Sequence, residues 1–182
     1  MAEQTRIRMT AEEFLQLPET TQITELIEGE VFVSPSGTDS HQVSVFATGV
    51  FLQRNAPNGQ MRIAPMDVHF DNEAVVEPDV FWVSDENTSC RVIDNKYWQG
   101  APDLIVEVLS PSTARRDYGK KYDLYERYGV REFWISDPVA KMTQVYGLQE
   151  GKFTRFGVFG ISESFTSPVL GVEVDVRMLF GE

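Results

Sequence analysis

The chain has 182 residues, enough for one domain with a substantial buried core. Its composition, 42% hydrophobic and 24% charged, is that of a globular protein and excludes the disordered, collagen-like and coiled-coil classes. The single cysteine, Cys90, excludes an internal disulfide and a cysteine-based zinc site. The net charge of −12 opposes long-range attraction to nucleic acid, so DNA binding would require a local basic patch.

The N-terminus and the apolar runs predict a cytoplasmic protein without a membrane span. Met1 leads into Ala2, Glu3, Gln4 and Thr5 and not into the apolar segment of a signal peptide. The longest apolar runs, such as residues 104–109, are far shorter than the roughly 20 residues that cross a bilayer.

The N-terminal segment predicts a short helix followed by a β-hairpin. The helix covers residues 10–17, with Thr10 as its N-cap and Glu13 as the partner in a capping box. Strands over residues 24–27 and 31–33 flank a turn that contains glycine.

A long helix is predicted next, over residues 40–54, with Ser40 as its N-cap. Apolar residues recur along it at intervals of three and four: Val43, Phe46, Ala47, Val50 and Phe51. This spacing predicts that these residues form the apolar face of the helix. Residues 55–59 end the helix.

Three strands are predicted after this helix, over residues 61–70, 77–83 and 103–110. Pro78 opens the second strand, at a position where a strand tolerates proline. The third strand carries an apolar run interrupted only by Glu107, which is the pattern of a strand covered on both faces.

A second long helix is predicted over residues 113–128, capped by Ser112 or Thr113 and closed by Gly129. A strand over residues 132–136 follows, and the order strand, helix, strand predicts a crossover in a mixed sheet. Further short strands complete the chain. The predicted fold is therefore α/β, with a central mixed β-sheet flanked by helices and an N-terminal β-hairpin extension.

Glu107 is the most informative residue for function, because every neighbour in its strand favours burial. An uncompensated buried carboxylate costs several kcal/mol, so Glu107 must be paired, protonated or bound to a metal. A structural ion pair with a buried Arg or Lys and a functional role are the two interpretations that this position allows.

Asp79 and Lys121 are two further candidates. Asp79 begins the strand before that of Glu107, so the two carboxylates could face one divalent ion, and Mg²⁺ typically takes one or two carboxylates plus waters. Lys121 lies on the inward, apolar stripe of the second long helix. The alternatives are an aspartate that faces water at a strand start and a lysine whose amine reaches solvent.

An aspartate, a glutamate and an inward lysine suit metal-assisted hydrolysis of a phosphodiester. The carboxylates would hold the metal, while the metal and the lysine activate a water and stabilise the charge that develops on the phosphate. A carboxylate pair would also suit a glycosidase, but Lys121 would have no role there.

Five segments of the chain carry a family resemblance. They are Glu-Leu-Ile-Glu-Gly-Glu at 25–30, His41 after a Ser-Pro loop, Glu-Pro-Asp at 77–79, Pro-Asp-Leu-Ile-Val-Glu-Val-Leu-Ser-Pro-Ser-Thr at 102–113, and the segment 121–134. In these segments the chain resembles the Uma-type restriction endonuclease family, which belongs to the PD-(D/E)XK nuclease superfamily. The resemblance runs from about Met9 to Leu179, and its most specific part is residues 102–138.

The resemblance implies a catalytic set of Asp79, Glu107 and Lys121. Asp79 matches the metal-binding aspartate of the superfamily and Glu107 its second acid, so both are implied ligands of Mg²⁺ or Mn²⁺. The usual lysine lies two residues after the second acid, where this chain has Leu109. The family pattern instead places a lysine on the following helix, which matches Lys121.

Three further residues match family positions: His41, Glu25 and Glu30. Of the two acids, Glu25 is expected to reach the site sooner than Glu30, so His41 and Glu25 are the supporting residues. His41, in the first turn of its helix, is interpreted either as a contact to phosphate or the metal shell, or as a capped surface histidine. Arg115 and Arg116 are candidate phosphate contacts, with a solvated pair as the favoured alternative.

These inferences predict one nuclease-like domain over residues 1–182, comprising a helix and hairpin extension (1–39), a catalytic core (40–138) and C-terminal strands (139–182). The implied activity is Mg²⁺-dependent cleavage of DNA by a homodimer, because cutting two strands usually takes two symmetry-related sites. The acidic charge leaves two alternatives open. One is a catalytically degenerate nucleic-acid-binding or interaction module, and the other is a hydrolase of small phosphate esters.

Overall fold

The computed structural model of the chain describes residues 8–18, 20–111 and 114–182. Its strands, in chain order, are β1 (Thr24–Ile27), β2 (Glu30–Val33), β3 (Gly59–Ile63), β4 (Val68–Asp71), β5 (Ala74–Val76), β6 (Val80–Ser84), β7 (Arg91–Ile93), β8 (Tyr97–Gln99), β9 (Leu104–Val108), β10 (Glu132–Asp137), β11 (Met142–Gln149), β12 (Lys152–Gly160), β13 (Ser164–Thr166) and β14 (Glu173–Asp175). The fold is α/β, as the sequence predicts.

One long helix and several short helical segments lie between these strands or at their ends. They are α1 (Ala11–Phe14), α2 (Asp39–Asn55), α3 (Ala114–Arg116) and α4 (Tyr122–Tyr128), with a π-helical turn at Asp117–Lys121 and a 3₁₀ helix at Val176–Phe180. Within the described ranges, no helix has both the length and the apolar character that crossing a bilayer requires.

The central sheet is mixed and has the strand order β12-β11-β10-β9-β6-β3. Strands β9 and β10 are parallel, and the chain between them contains α3, the π-helical turn and α4, so the predicted crossover is confirmed. The register of this pair places Glu107 beside Ile135. Glu107 therefore lies on an inner strand of the sheet, with a neighbouring strand on each side.

Alternation along β9 decides which layer Glu107 faces, because successive side chains of a strand point to opposite faces. Leu104, Val106 and Val108 pack in one core cluster with α2 and the 3₁₀ helix. Ile105 packs in the other cluster, with α4 and strands of a second sheet. Glu107, two residues after Ile105, consequently faces α4 and the second sheet.

The second sheet has the order β2-β1-β5-β4-β8-β7 and was not predicted from the sequence. The predicted hairpin forms β1 and β2, and it joins this sheet where Leu26 pairs with Val75 of β5. Before it, α1 begins with the predicted capping box between Thr10 and Glu13, although the helix ends at Phe14, earlier than predicted.

The prediction of one strand over residues 61–70 is wrong. Strand β3 ends at Ile63 in the central sheet, and β4 begins at Val68 in the second sheet. Pro65 lies between them and has no N–H group to continue a ladder of hydrogen bonds. The chain therefore leaves the central sheet at this proline and enters the second sheet. This change of sheet brings the two sheets together near Asp79.

The predicted N-cap of α2 is also wrong, and its predicted apolar face is only partly buried. Thr38, not Ser40, is the N-cap, and its hydroxyl accepts a hydrogen bond from the backbone N–H of His41. Of the residues predicted to form the apolar face, Phe51 is buried, whereas Val43 and Phe46 are 44% and 66% exposed. The buried residues of the helix are His41, Ser44, Val45, Thr48, Gly49, Phe51 and Leu52.

Close approach to β3 explains why α2 has a glycine at position 49. A Cβ atom on Gly49 would lie 2.7 Å from the Met61 side chain and 3.0 Å from that of Ile63, so only glycine fits there without rearrangement. Small residues let the helix backbone lie near β3, and a count of hydrophobic spacing does not detect this. Phe46, three residues before Gly49, lines the same groove beside β3 and is exposed.

The second long helix is confirmed with one modification, the π-helical turn before α4. Gly129 closes it in the left-handed conformation, with φ of 83°. The predicted capping residues Ser112 and Thr113 lie outside the described residues.

Cys90 is predicted to be unreactive in the native protein. Its thiol is buried, and burial, followed by the charge of Asp103, raises its pKa to about 12. Because the thiolate is the reactive form, labelling with a thiol reagent at pH 8 should be negligible in buffer and reach one thiol per chain in guanidinium. Rapid labelling of the folded protein would contradict the buried position.

Candidate active site

A cavity of about 360 Å³ lies where the two sheets, the start of α2 and the π-helical turn meet. The residues that the sequence predicts for the site all line it: Glu25, His41, Asp79, Glu107 and Lys121. They come from five separate parts of the chain, and the fold brings them together.

Asp79 and Glu107 lie side by side because β6 and β9 are antiparallel neighbours. Val80 pairs with Val106, and continuing this register by one residue places Asp79 level with Glu107. The Asp79 carboxylate is buried, and its Oδ2 accepts a hydrogen bond from the Val108 N–H at 2.8 Å. The alternative of an aspartate that faces water is therefore wrong.

Glu107 is held through a single oxygen. Its Oε1 accepts hydrogen bonds from Lys121 Nζ at 2.8 Å and from the Tyr125 hydroxyl at 2.5 Å. Burial raises the pKa of Glu107 well above its usual range; Lys121 opposes this, while the nearby carboxylates of Asp79 and Glu25 add to it. Positive charge placed at the cavity would therefore stabilise the ionised form of Glu107.

Lys121 lies between two carboxylates and is only 3% exposed, so the alternative of an amine in solvent is wrong. Its Nζ is 2.8 Å from Oε1 of Glu25 and 2.8 Å from Oε1 of Glu107. Burial alone would lower the pKa of Lys121, but these two carboxylates outweigh burial and raise it. The lysine therefore carries a fixed positive charge at neutral pH.

The π-helical turn accounts for the position of Lys121. Such a turn adds a residue to each hydrogen-bonded ring and so rotates the side chains that follow. Its buried residues are Asp117 and Lys121, which both line the cavity. Leu109, at the position of the superfamily's usual lysine, packs instead against the core layer under α4.

Glu25 brings the N-terminal hairpin into the site. It is fully buried, and its Oε1 also accepts a hydrogen bond from the Glu77 N–H at 3.1 Å. Its Oε2 lies 3.5 Å from the guanidinium of Arg116. Glu30, the other acid considered in the hairpin, instead pairs with Lys120 at 3.4 Å.

His41 contacts the first acid. Its Nε2 is 3.3 Å from Oδ2 of Asp79, and the ring is buried, so the interpretation as a capped surface histidine is wrong. Burial lowers the pKa of His41, but the hydrogen bond and the charge of Asp79 outweigh it, and the pKa is raised. Of the two candidate arginines, Arg115 is exposed, whereas Arg116 lines the cavity and donates to the Ser34 hydroxyl at 2.5 Å.

The sequence interpretation missed two residues of the site, Glu77 and Tyr125. Burial raises the pKa of Glu77 to about 7, and its Oε1 accepts a hydrogen bond from the Thr24 N–H. Glu77 lies two residues before Asp79, so the sequence already indicated that it is close to the site. Tyr125 was assigned to the apolar stripe, and its spacing of four from Lys121 was the available signal.

The donor set fits a hard divalent cation with few protein ligands. Both described contacts of Asp79 fall on Oδ2, and both contacts of Glu107 fall on Oε1. In the described ranges no three His, Cys, Asp or Glu side chains are grouped to hold a metal. Asp79 and Glu107 are the candidate oxygen ligands for such an ion, and Mg²⁺ typically takes one or two carboxylates and keeps several waters.

Comparison by fold gives a strong match to a solved structure. The chain is similar to a "putative nuclease belonging to DUF820" from Anabaena variabilis, with a TM-score of 0.78 over 95% of this chain and 98% of that chain. The two share 21% sequence identity, so the match shows the fold. The predicted restriction-endonuclease-like core agrees with this match.

Comparison by sequence gives two relatives from Synechocystis sp. and a family. "Uncharacterized protein sll1609" is 30% identical over 144 residues, 76% of this chain and 80% of that protein. "Uncharacterized protein slr1290" is 28% identical over 121 residues, 65% of this chain and 62% of that protein, which is less than two thirds of its length. The model of the Uma2 family, described as "Putative restriction endonuclease", matches residues 11–177. Because this match covers most of the chain, the protein belongs to the Uma2 family, as the sequence resemblance implies.

Proposed function

We propose that this protein is a nuclease that hydrolyses DNA phosphodiester bonds with Mg²⁺ or Mn²⁺ held by Asp79 and Glu107. The observation that carries the proposal is the pair of buried carboxylates on neighbouring strands, each held on one oxygen, beside the fixed charge of Lys121. Membership of a restriction endonuclease family supports the same reaction class.

Each residue of the site has a separate role in the proposed reaction. When bound, the divalent ion supplies Lewis-acid activation of water and phosphate. Asp79 and Glu107 provide its oxygen ligands. Lys121 holds a positive charge within 2.8 Å of Glu107, where it stabilises negative charge that develops on the phosphate. Glu25 anchors Lys121 from the opposite side, so the ammonium group stays in place.

Arg116 is the proposed contact to the substrate phosphate. Its guanidinium lines the cavity and is oriented by the Ser34 hydroxyl and the Glu25 carboxylate. A guanidinium binds phosphate with defined geometry, and orientation before binding reduces the entropy lost. This local charge partly compensates the overall charge of −12 at the place where the phosphate would enter.

Plasmid cleavage by the purified chain tests the proposed function. Nicked or linear product is expected with Mg²⁺ or Mn²⁺, and none with EDTA. Equal cleavage in EDTA would contradict metal dependence. Salt-dependent DNA binding without cleavage would favour the binding-module alternative, and hydrolysis of a chromogenic phosphodiester alone would favour the small-ester alternative.

We also propose that two copies associate through the exposed side of α2 and the edge strand β3. Phe46 and Val50 form an apolar groove there with Met61 and Ile63. Strand β3 lies at the edge of the central sheet, so one side of it has no neighbouring strand in that sheet. The residues lining the groove include Arg54 and no acid. Two chains of charge −12 repel each other least where neither presents carboxylates, and two β3 edges can pair antiparallel about a two-fold axis.

Light scattering with Phe46→Asp tests this association. The wild type is expected at about twice the chain mass of 20.7 kDa, and the variant at the mass of one chain. Val139→Asp is the matched control, because Val139 is 84% exposed and does not line the groove. A wild type that is monomeric across micromolar concentrations, or a Phe46→Asp variant that stays dimeric, would refute the proposed interface.

A further inference from the structure

Tyr125 is a buried tyrosine whose hydroxyl points to an acid of the site. The hydroxyl donates to Oε1 of Glu107 at 2.5 Å, and the side chain is fully buried. Lys121, four residues earlier, contacts the same oxygen at 2.8 Å. Side chains four apart lie on one face of a helix, so two adjacent positions of that face hold one carboxylate oxygen.

Packing explains the ring of Tyr125 but not its hydroxyl. The ring packs edge to face on Phe133, with centroids 5.1 Å apart, and at a tilt against Phe70 at 6.0 Å. A phenylalanine would fill the same space. A hydroxyl in such a place costs free energy unless it is hydrogen-bonded, and its partner here is Glu107.

We propose that Tyr125 is a positioning residue of the nuclease site. Together with Lys121 it holds Oε1 of Glu107, and this fixes the carboxylate so that Oε2 is the oxygen that binds the ion. The inference rests on the proposed function, in which Glu107 is a metal ligand. Removing a hydrogen-bond partner of a metal-binding residue typically costs about 10–100-fold in metal affinity or activity.

Asp79, the other acid of the site, is held in the same way as Glu107. The same arrangement at both acids supports a positioning role for the groups that hold them. Oδ2 of Asp79 accepts from the Val108 N–H and lies beside His41 Nε2. Each acid thus has one oxygen occupied by two protein groups. The two remaining oxygens are the ligands assigned to the ion.

Tyr125→Phe tests this role, with Tyr122→Phe as its matched control. Tyr122 lies on the same helix, and its hydroxyl donates to a backbone carbonyl, that of Phe153, at 3.3 Å. Tyr125→Phe should weaken Mn²⁺ binding about 10-fold or more in calorimetry and lower kcat, with KM for DNA unchanged. Tyr122→Phe should change neither quantity. Wild-type Mn²⁺ affinity and kcat in Tyr125→Phe would overturn the inference.

A metal-free measurement separates this inference from the proposed function. The ¹³C resonance of the Glu107 carboxyl group should shift in Tyr125→Phe without any metal, and stay in place in Tyr122→Phe. A resonance that does not move in Tyr125→Phe overturns the positioning role, whatever the metal result. Wild-type protein that binds no Mn²⁺ and cuts no DNA overturns instead the proposed function.

Discussion

Glu107→Gln is expected to reduce metal-dependent DNA cleavage by at least about 10³-fold while the protein stays folded. The substitution keeps the size of the side chain and an oxygen that accepts from Tyr125, but it removes the charge that would bind the ion. Losing several kcal/mol of transition-state stabilisation corresponds to a loss of this size. Initial rates on plasmid DNA, together with circular dichroism, measure both parts of the expectation.

Glu132→Gln is the matched control, because it changes another buried carboxylate on the adjacent strand of the same sheet. Glu132 accepts hydrogen bonds from Trp134 Nε1 at 2.6 Å, the Ser167 hydroxyl at 2.7 Å and the Val169 N–H at 2.9 Å. Its partners give it a structural role, so the variant should lose about 1–3 kcal/mol of stability and retain cleavage. If both variants lost cleavage equally at a temperature where both are folded, the assignment of Glu107 would be wrong.

Lys121→Met is expected to abolish cleavage and to lower the free energy of unfolding by about 3–5 kcal/mol. Without the ammonium group, the carboxylates of Glu25 and Glu107 would lie buried near each other with their shared cation removed. Uncompensated buried charge of this kind is among the most destabilising changes that one substitution makes. Urea unfolding at pH 7 measures the loss.

The double variant Glu25→Gln/Lys121→Met separates the structural and catalytic effects of this lysine. Removing one carboxylate together with the ammonium relieves the excess charge, so more than half of the lost stability should return. Cleavage should stay absent, because the fixed positive charge beside Glu107 is still missing. A double variant that regains cleavage would show that Lys121 acts only on stability.

The acids of the site could be predicted because each conflicts with its local pattern. Glu107 is a charge in a strand whose neighbours are all buried, and that conflict is visible without a structure. Asp79 became a candidate from its place at the start of the neighbouring strand. The inward position of Lys121 followed from its spacing to Leu124 and Tyr125, and the structure buries both of these.

The sequence did not predict the pairing of strands that are distant in the chain, or which face of α2 is buried. Glu25 reaches Lys121 only because β1 joins a second sheet through β5, and no local pattern reports that pairing. The buried face of α2 includes the polar residues His41, Ser44 and Thr48, whereas the apolar Phe46 is exposed. The spacing of apolar residues shows which face of a helix is apolar, but it does not show which face the rest of the protein covers.

Diffraction from crystals grown with Mn²⁺ tests the central claim most directly, because anomalous scattering locates the ion independently of activity. The account predicts one anomalous peak in the cavity, within bonding distance of a carboxylate oxygen of Asp79 and one of Glu107. The peak should disappear in Glu107→Gln and persist in Glu132→Gln. No peak at this position in the wild type, with Mn²⁺ well above the concentration that supports cleavage, would contradict the claim that these two carboxylates hold the metal.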